Sequence, residues 1–304
     1  MSEPHEIEGQ VYWSHDEGHA YGHFHTYDAF LLPGMAAPRK LHLLLPRHAP
    51  AGVRLPVLYF NDGNTTFWPG GLAMQSWNVA QTLSEPELLG SLPPHIVVAV
   101  CPVDRDRDYT DVEWAPERSC CGLREYCREL SLIKGFVDSH YPAASESRKN
   151  TIVGSSHGGT AAFFIATRLP QLFGTAVMMS PAFWVATGYD YAIEGSPLAE
   201  AGLILEVAEL LRSPTQRPRF WLDWGMVHHG GFHNEVIERL GMLRGRELQA
   251  LLVQHYGYHL GQDLWVEEDP EGAHDEASWG RRFARLLPVI LGVGASEQSL
   301  DSAR

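Results

Sequence analysis

The sequence predicts an α/β fold in which helices cover both faces of a mostly parallel sheet. Three observations support this prediction. Short apolar runs alternate with helical segments, the connections between them are short, and the run 96–101 is continuously apolar, as a strand buried on both faces should be. Of the 304 residues 44% are hydrophobic, and no internal repeat or long linker divides the chain, which predicts one large domain.

The predicted elements follow one another along the chain. Apolar runs bounded by Pro, Gly or Asn predict strands at 40–45, 56–60, 96–101, 151–153, 176–179, 219–224 and 264–266. Helical spacing of apolar residues predicts helices at 123–137, 160–168, 235–252 and 279–291. The stretches 104–119 and 184–214 interrupt the alternation, and we expect them to form a lid or pocket walls. Residues 1–36 are predicted to be an extension packed on a domain at 37–292, with a flexible tail at 293–304.

The chain is acidic, with 23 Lys and Arg against 37 Asp and Glu and a formal charge of −14. Such a surface repels phosphate backbones and anionic lipid, so neither nucleic acid nor a membrane is an expected partner. The first ten residues lack the pattern of a secretory signal, and no apolar run reaches the roughly 18–20 residues of a membrane helix. A cytoplasmic protein is expected, and its four cysteines are predicted to be reduced thiols.

The segment 154–159, Gly-Ser-Ser-His-Gly-Gly, is a G-x-S-x-G motif between a predicted strand and a predicted helix. This context is typical of a sharp strand-to-helix turn that exposes a nucleophilic serine, here Ser156. The backbone N–H of His157 would then point toward a developing oxyanion. A second oxyanion donor is expected in the loop after the strand 56–60, at Gly63 or Asn64, with Asn64 preferred.

A serine hydroxyl needs a general base, and His274 lies where such a base is expected, between the last predicted strand and the final helix. We expect Ser156 to attack a carbonyl carbon while His274 takes its proton. Water would then release the acid from the acyl-enzyme.

Five segments in order along 37–292 resemble the putative-esterase family of α/β-hydrolases, which includes esterase D, enterochelin-type esterases, feruloyl esterases and mycolyltransferases. Segment 57–64 is similar to its "VLYMHDGQN", 154–159 to "GSSMGG", 180–184 to "SPSFWW", 220–225 to "xYLDVG" and 274–279 to "HNEAAW". The resemblance implies an α/β-hydrolase fold, no organic cofactor, and cleavage of a carboxyl ester or transfer of its acyl group. A small-molecule ester or acyl compound is the expected substrate, and a homo-oligomer is compatible with the sequence.

The resemblance fails at the triad acid, the carboxylate that orients the base histidine in this family. Counted from Gly225, the family's acid position is His228, which cannot be an anionic partner. Asp223 is the first candidate, Glu235 the alternative and Asp190 a third. Because of this departure, a catalytically impaired binding protein with the same fold is one alternative function. An acyltransferase that uses the same site is another.

Aromatic residues after predicted strand ends are expected to contact substrate and to favour an apolar or aromatic acyl group. These substrate-binding candidates are Phe67, Trp68, Phe183 and Trp184, together with His228. Histidines cluster at 15–25 and 228–233, which leaves metal-dependent hydrolysis as an alternative. We interpret these histidines as pocket or surface residues and predict no metal site.

Overall fold

A ten-stranded sheet forms the centre of the computed structural model, which describes residues 4–71, 73–187 and 197–292. The strands are β1 (Pro4–Ile7), β2 (Gln10–His15), β3 (Gly22–Phe30), β4 (Arg39–Pro46), β5 (Val57–Phe60), β6 (Ile96–Val100), β7 (Asn150–Ser155), β8 (Thr175–Met179), β9 (Arg219–Gly225) and β10 (Leu264–Asp269). Their order across the sheet is β1-β2-β3-β4-β6-β5-β7-β8-β9-β10. The six strands from β6 to β10 in this order pair in parallel, and β1 to β4 continue the sheet with antiparallel pairing.

Helices cover both faces of the sheet. They are α1 (Gly63–Thr66), α2 (Val79–Leu83), α3 (Pro86–Leu89), α4 (Arg105–Tyr109), α5 (Leu123–His140), α6 (His157–Arg168), α7 (Gly202–Arg212), α8 (Arg239–Tyr256) and α9 (Glu276–Ile290). A π-helical turn, His233–Glu238, leads directly into α8. Within the described residues, no helix is both long and apolar enough to span a membrane.

The hydrophobic core lies in two layers, one on each side of the sheet. Residues of α5, α6, α7 and α8 fill the larger layer, and residues of α2 and α9 fill the other. The central strands are buried along their whole length, including Val57–Phe60 and Ile96–Val100, because helices cover both of their faces. The predicted α/β fold with a mostly parallel sheet is therefore confirmed.

The sequence did not predict the strands β1, β2 and β3. Their residues are partly exposed and include several histidines, so they lack the continuous apolar runs by which the buried strands were recognised. Residues 188–196 and 293–304, which include the candidate acid Asp190 and the predicted tail, lie outside the described residues.

The prediction of four reduced cysteines is wrong for one pair. Cys120 and Cys121 form a disulfide between neighbouring residues, whereas Cys101 and Cys127 are buried free thiols. A bond between chain neighbours links no distant segments, so the spacing of the cysteines gave no sign of it.

Candidate active site

Ser156 lies in a sharp turn between β7 and α6. Its backbone has φ 52° and ψ −125°, a combination that residues with a side chain rarely adopt and that costs free energy. A Cβ on Gly154 would collide with the carbonyl of Gly158, so this turn closes only around a glycine. The sequence pattern thus places the serine in a strained conformation at the carboxyl edge of the sheet.

Hydrogen bonds hold this turn in place. The carbonyl oxygen of Ser156 accepts from the backbone N–H groups of Gly159 and Ala182, each at 3.0 Å. The side-chain amide of Asn61 donates to the carbonyl of Gly158 at 2.8 Å, and the hydroxyl of Tyr126 donates to Asn61 Oδ1 at 2.8 Å. These contacts offset the strain of the turn and fix the direction of the serine side chain.

His274 lies in the loop between β10 and α9. Its Nδ1 is 2.5 Å from Oε2 of Glu238, and its backbone N–H donates to Oδ1 of Asn234 at 3.0 Å. The edge of the imidazole packs against Trp279, with ring centroids 5.1 Å apart. Because Nδ1 is hydrogen-bonded to Glu238, Nε2 is the ring nitrogen that can accept a proton.

Glu238 is fully buried at the end of the π-helical turn. Its other oxygen, Oε1, accepts from the hydroxyl of Ser180 at 2.8 Å and from the backbone N–H of Gly225. Burial alone would raise the pKa of this carboxyl, but the hydrogen bond from His274 and the charges of His274 and Arg282 hold it below its ordinary value. Glu238 is thus a buried carboxylate that orients His274.

The sequence prediction of Asp223 or Glu235 beside His274 is therefore wrong. Asp223 is buried but pairs with Arg282, at 3.1 Å, and accepts from the indole N–H of Trp221 at 3.0 Å. Burial raises the pKa of Asp223 to about 6, although Arg282 lowers it in part. Glu235 is exposed and accepts from the backbone N–H of Gly231 at 3.2 Å.

Glu238 was not among the predicted site residues, because the apolar face of the predicted helix 235–252 was taken from residues such as Val236 and Leu240. Residue 238 lies about 200° around an α-helical axis from Val236, away from that face. In the structure the buried side of α8 includes Gly241, Met242 and Gly245, which are three, four and seven positions after Glu238, and the Glu238 carboxylate is buried with them.

A cavity of about 920 Å³ opens above the carboxyl edge of the sheet. Ser156, His157, His274 and Asn64 all line it, so the structure brings these four predicted residues together. The segments 104–106 and 232–234 supply two of its walls, and Trp114, Arg118, Ile237 and Trp279 complete them. Part of the stretch 104–119 therefore forms a pocket wall, as expected.

Of the predicted substrate-binding residues, Trp184 lines the cavity and the others do not. Phe67 packs on Phe24 in the core, with ring centroids 5.1 Å apart, and the Trp68 indole donates to Glu17 at 2.8 Å. Phe183 packs on Phe163 in the core, and His228 also lies outside the cavity lining. The structure therefore brings Trp184 to the cavity and does not bring the other four there. The aromatic residues that line the cavity instead are Trp114, Phe232 and Trp279.

Two backbone segments present N–H groups near Ser156. His157 begins α6 and Gly63 begins α1, and the first N–H groups of a helix have no partner within it. The N–H of Asp62 is instead used, because it donates to the Tyr109 hydroxyl at 2.7 Å. Asn64, the second residue of α1, lines the same cavity as Ser156.

The side chain of His157 is buried in the cavity wall and packs on Trp114, with ring centroids 4.8 Å apart. Neither ring nitrogen has a hydrogen bond within the described part of the chain. Burial, aided by the charge of Arg105, holds the pKa of His157 well below its usual range. The imidazole is therefore neutral near pH 7.

The histidine clusters do not converge on a metal-like site. His25 hydrogen-bonds the Tyr141 hydroxyl at 3.1 Å, and His15 and His42 both bond the Thr26 hydroxyl. Over the three described ranges, no group of three or more His, Cys, Asp or Glu side chains could hold a metal ion.

Comparison with known families identifies one matching model, described as "Putative esterase", over residues 33–290. This range covers most of the chain and includes every residue of the site described above. A search of curated protein sequences found no match.

Solved structures with a similar fold include two esterases and a siderophore hydrolase. An enterobactin esterase from Shigella flexneri, solved with 2,3-dihydroxy-N-benzoyl-glycine, is 16% identical with a TM-score of 0.60 over 91% of this chain and 60% of that one. A siderophore hydrolase from Aspergillus nidulans is 16% identical with a TM-score of 0.65, covering 89% of this chain and 95% of that one. A ferulic acid esterase is 12% identical with a TM-score of 0.61, covering 90% of this chain and 99% of that one. The chain thus spans about 60% of the length of the enterobactin esterase.

Proposed function

From the membership of this chain in the Putative esterase family, which makes it an ester-cleaving hydrolase, we propose that it is a serine esterase that works through an acyl-enzyme. The observation that carries the proposal is one arrangement. A strained, cavity-lining serine shares its cavity with a histidine whose Nδ1 is held 2.5 Å from a buried carboxylate. This arrangement matches the roles of nucleophile, base and orienting acid.

In the proposed first step, Ser156 Oγ attacks the ester carbonyl carbon and His274 Nε2 takes the hydroxyl proton. The C–O bond to the leaving alcohol then breaks, and His274 returns the proton to that alcohol. In the second step His274 takes a proton from water as the water oxygen attacks the acyl carbon. The C–O bond to Ser156 Oγ then breaks and His274 returns the proton to Oγ, which releases the acid and regenerates the Ser156 hydroxyl. Glu238 holds the ring in the tautomer with hydrogen on Nδ1 and stabilises the imidazolium that forms in both steps.

The tetrahedral intermediates carry a negative oxygen that needs donors fixed in advance. We assign this role to the backbone N–H groups of His157 and Asn64, since His157 is the first residue of α6, Asn64 is the second residue of α1, and both line the cavity. The side chain of His157 takes no part in this contact, because only its main chain is the donor.

The alternative of an impaired binding protein rested on the missing acid at His228. Glu238, ten residues further along the chain, stands beside His274 and removes the reason for that alternative.

For the substrate, we propose small esters whose acyl group is aromatic. The cavity of about 920 Å³ is large enough for such a group, and Trp114, Trp184 and Phe232 lie along it. Two of the similar structures support this class of substrate. One is a ferulic acid esterase, and another was solved with a dihydroxybenzoyl compound.

Labelling with a fluorophosphonate tests the proposal. We expect one adduct, mapped by mass spectrometry to Ser156, on the wild type and on the control Ser155→Ala, and none on Ser156→Ala. A nitrophenyl ester should give a pre-steady-state burst of nitrophenol that Ser156→Ala lacks. Ester cleavage by Ser156→Ala at the wild-type rate would contradict the mechanism.

A further inference from the structure

A second cleft, of about 590 Å³, lies at the opposite edge of the sheet, where β8 and β9 begin. Four arginines line it, namely Arg148, Arg168, Arg217 and Arg219. Among its described lining residues, Asp263 is the one acid. This excess of positive charge stands out in a chain with a formal charge of −14.

Two of the four guanidinium groups are neutralised by carboxylates. Arg168 pairs with Glu206, which lies beside the cleft. Arg217 pairs with Asp263 at 2.5 Å, donates to the carbonyl of Tyr256, and stacks over the ring of Tyr258. The positive charges of Arg168 and Arg217 are therefore largely neutralised by these carboxylates.

The other two guanidinium groups have no carboxylate partner within the described ranges. Arg219 donates to the hydroxyl of Thr175 at 3.0 Å and lies over the ring of Trp265, but its Nε is buried without a hydrogen bond. Burial lowers the pKa of Arg219, and the nearby charge of Arg148 lowers it further. Two close cations without a counter-charge favour binding of an anion between them.

We propose that this cleft binds a phosphorylated small molecule. The two guanidinium groups without a carboxylate partner match the charge of about −1.5 to −2 on a phosphate monoester at pH 7. A ligand with a single carboxylate carries only about half of that charge. Guanidinium groups donate in pairs to phosphate oxygens, and the polar residues Ser147 and Thr215 line the same cleft. The volume exceeds that of inorganic phosphate, which leaves room for the organic part of the ligand.

This cleft is separate from the catalytic cavity. Thr175 and Arg219 begin β8 and β9, whereas Ser156 and His274 lie beyond the ends of their neighbouring strands. The two cavities share no lining residue. Binding here is therefore independent of the proposed ester chemistry.

Isothermal titration with inorganic pyrophosphate at low ionic strength tests the proposal. We expect binding to the wild type and to Ser156→Ala, weakened about tenfold or more in Arg148→Met and in Arg219→Met. Arg128→Met is the matched control, because it removes the same charge from an exposed position outside the cleft and should bind as the wild type does. Cleavage of a nitrophenyl ester by the two cleft variants verifies that they are folded.

Three results would overturn the proposal. The first is an absence of pyrophosphate binding to the wild type at millimolar concentration, and the second is equal binding by all variants. The third is tighter binding of citrate than of pyrophosphate, which would reject phosphate as the recognised group. Because Ser156→Ala is included, none of these results depends on whether Ser156 is the nucleophile.

Discussion

Oε2 of Glu238 lies 2.5 Å from Nδ1 of His274, and Glu238 comes from the helical segment after β9 rather than from the strand end itself. The carboxylate is buried and held by Ser180 and Gly225, so it cannot turn away from the imidazole. Such a preorganised contact holds the His274 imidazole in the tautomer with hydrogen on Nδ1.

Replacing Glu238 by Gln should reduce kcat for a nitrophenyl ester about 10²–10⁴-fold, because the amide cannot stabilise the imidazolium of His274. Glu235→Gln, one turn earlier and exposed, is the matched control and should retain wild-type kcat. Steady-state kinetics on both variants check this expectation. A small loss in Glu238→Gln with a large loss in Glu235→Gln would reassign the acid.

The stability conferred by the Glu238 carboxylate should depend on pH. Its pKa lies below the ordinary value of 4.5, so the ionised form stabilises the fold fully above that pH and the contribution is lost as the pH falls. The free energy of unfolding of wild type relative to Glu238→Gln should therefore rise with pH through the acid range. Urea unfolding at pH 7 and at about pH 4 measures it, and a relative stability that rises on acidification would refute it.

Asp223→Asn should mainly affect stability. The substitution leaves Asp269, at 4.0 Å, as the remaining carboxylate beside the buried guanidinium of Arg282, at a cost of about 1–3 kcal/mol in the free energy of unfolding. Since Asp223 does not contact His274, kcat of the folded variant should stay within about tenfold of wild type. Pairing it with Arg282→Met should recover part of the stability. A kcat loss as large as that of Glu238→Gln would contradict this assignment.

His157→Leu should leave stability unchanged or raise it by about 1–2 kcal/mol, because it removes two buried ring nitrogens that lack hydrogen bonds. The proposed oxyanion donor is the backbone N–H, so cleavage of a small nitrophenyl ester should persist. Thermal unfolding and kcat measure the two effects. Complete loss of activity in a folded variant would show that the imidazole itself takes part.

Gly154→Ala should destabilise the protein by about 1–3 kcal/mol or more, since the added Cβ would collide with the carbonyl of Gly158. It should also reduce kcat, because relieving the collision opens the turn that positions Ser156. Gly135→Ala in α5, where an added Cβ meets nothing within 4 Å, is the control and should be neutral or stabilising. Urea unfolding of both variants provides the comparison. Equal stability would show that the turn does not depend on glycine.

The buried half of the fold could be predicted from the sequence because its strands are continuous apolar runs. The strand-to-helix turn at Ser156 and the loop that carries His274 were recognisable for a related reason, since both depend on local residue types at a fixed place in the element order. The positions of the buried acid and of the aromatic residues that line the cavity depend on how the loops and the turn before α8 lie over the sheet. Glu238 and Trp114 therefore carry no local pattern that points to the cavity.

The turn that ends in Glu238 also contributes His233, Asn234 and Ile237 to the cavity surface, with Phe232 just before it. We therefore expect a ligand that contacts this surface to move the turn that carries the Glu238 carboxylate. In the proposed mechanism this movement couples the fit of the substrate to turnover. A redesign that enlarges the pocket at 232–237 is then expected to alter the alignment of His274 as well as the range of compounds accepted.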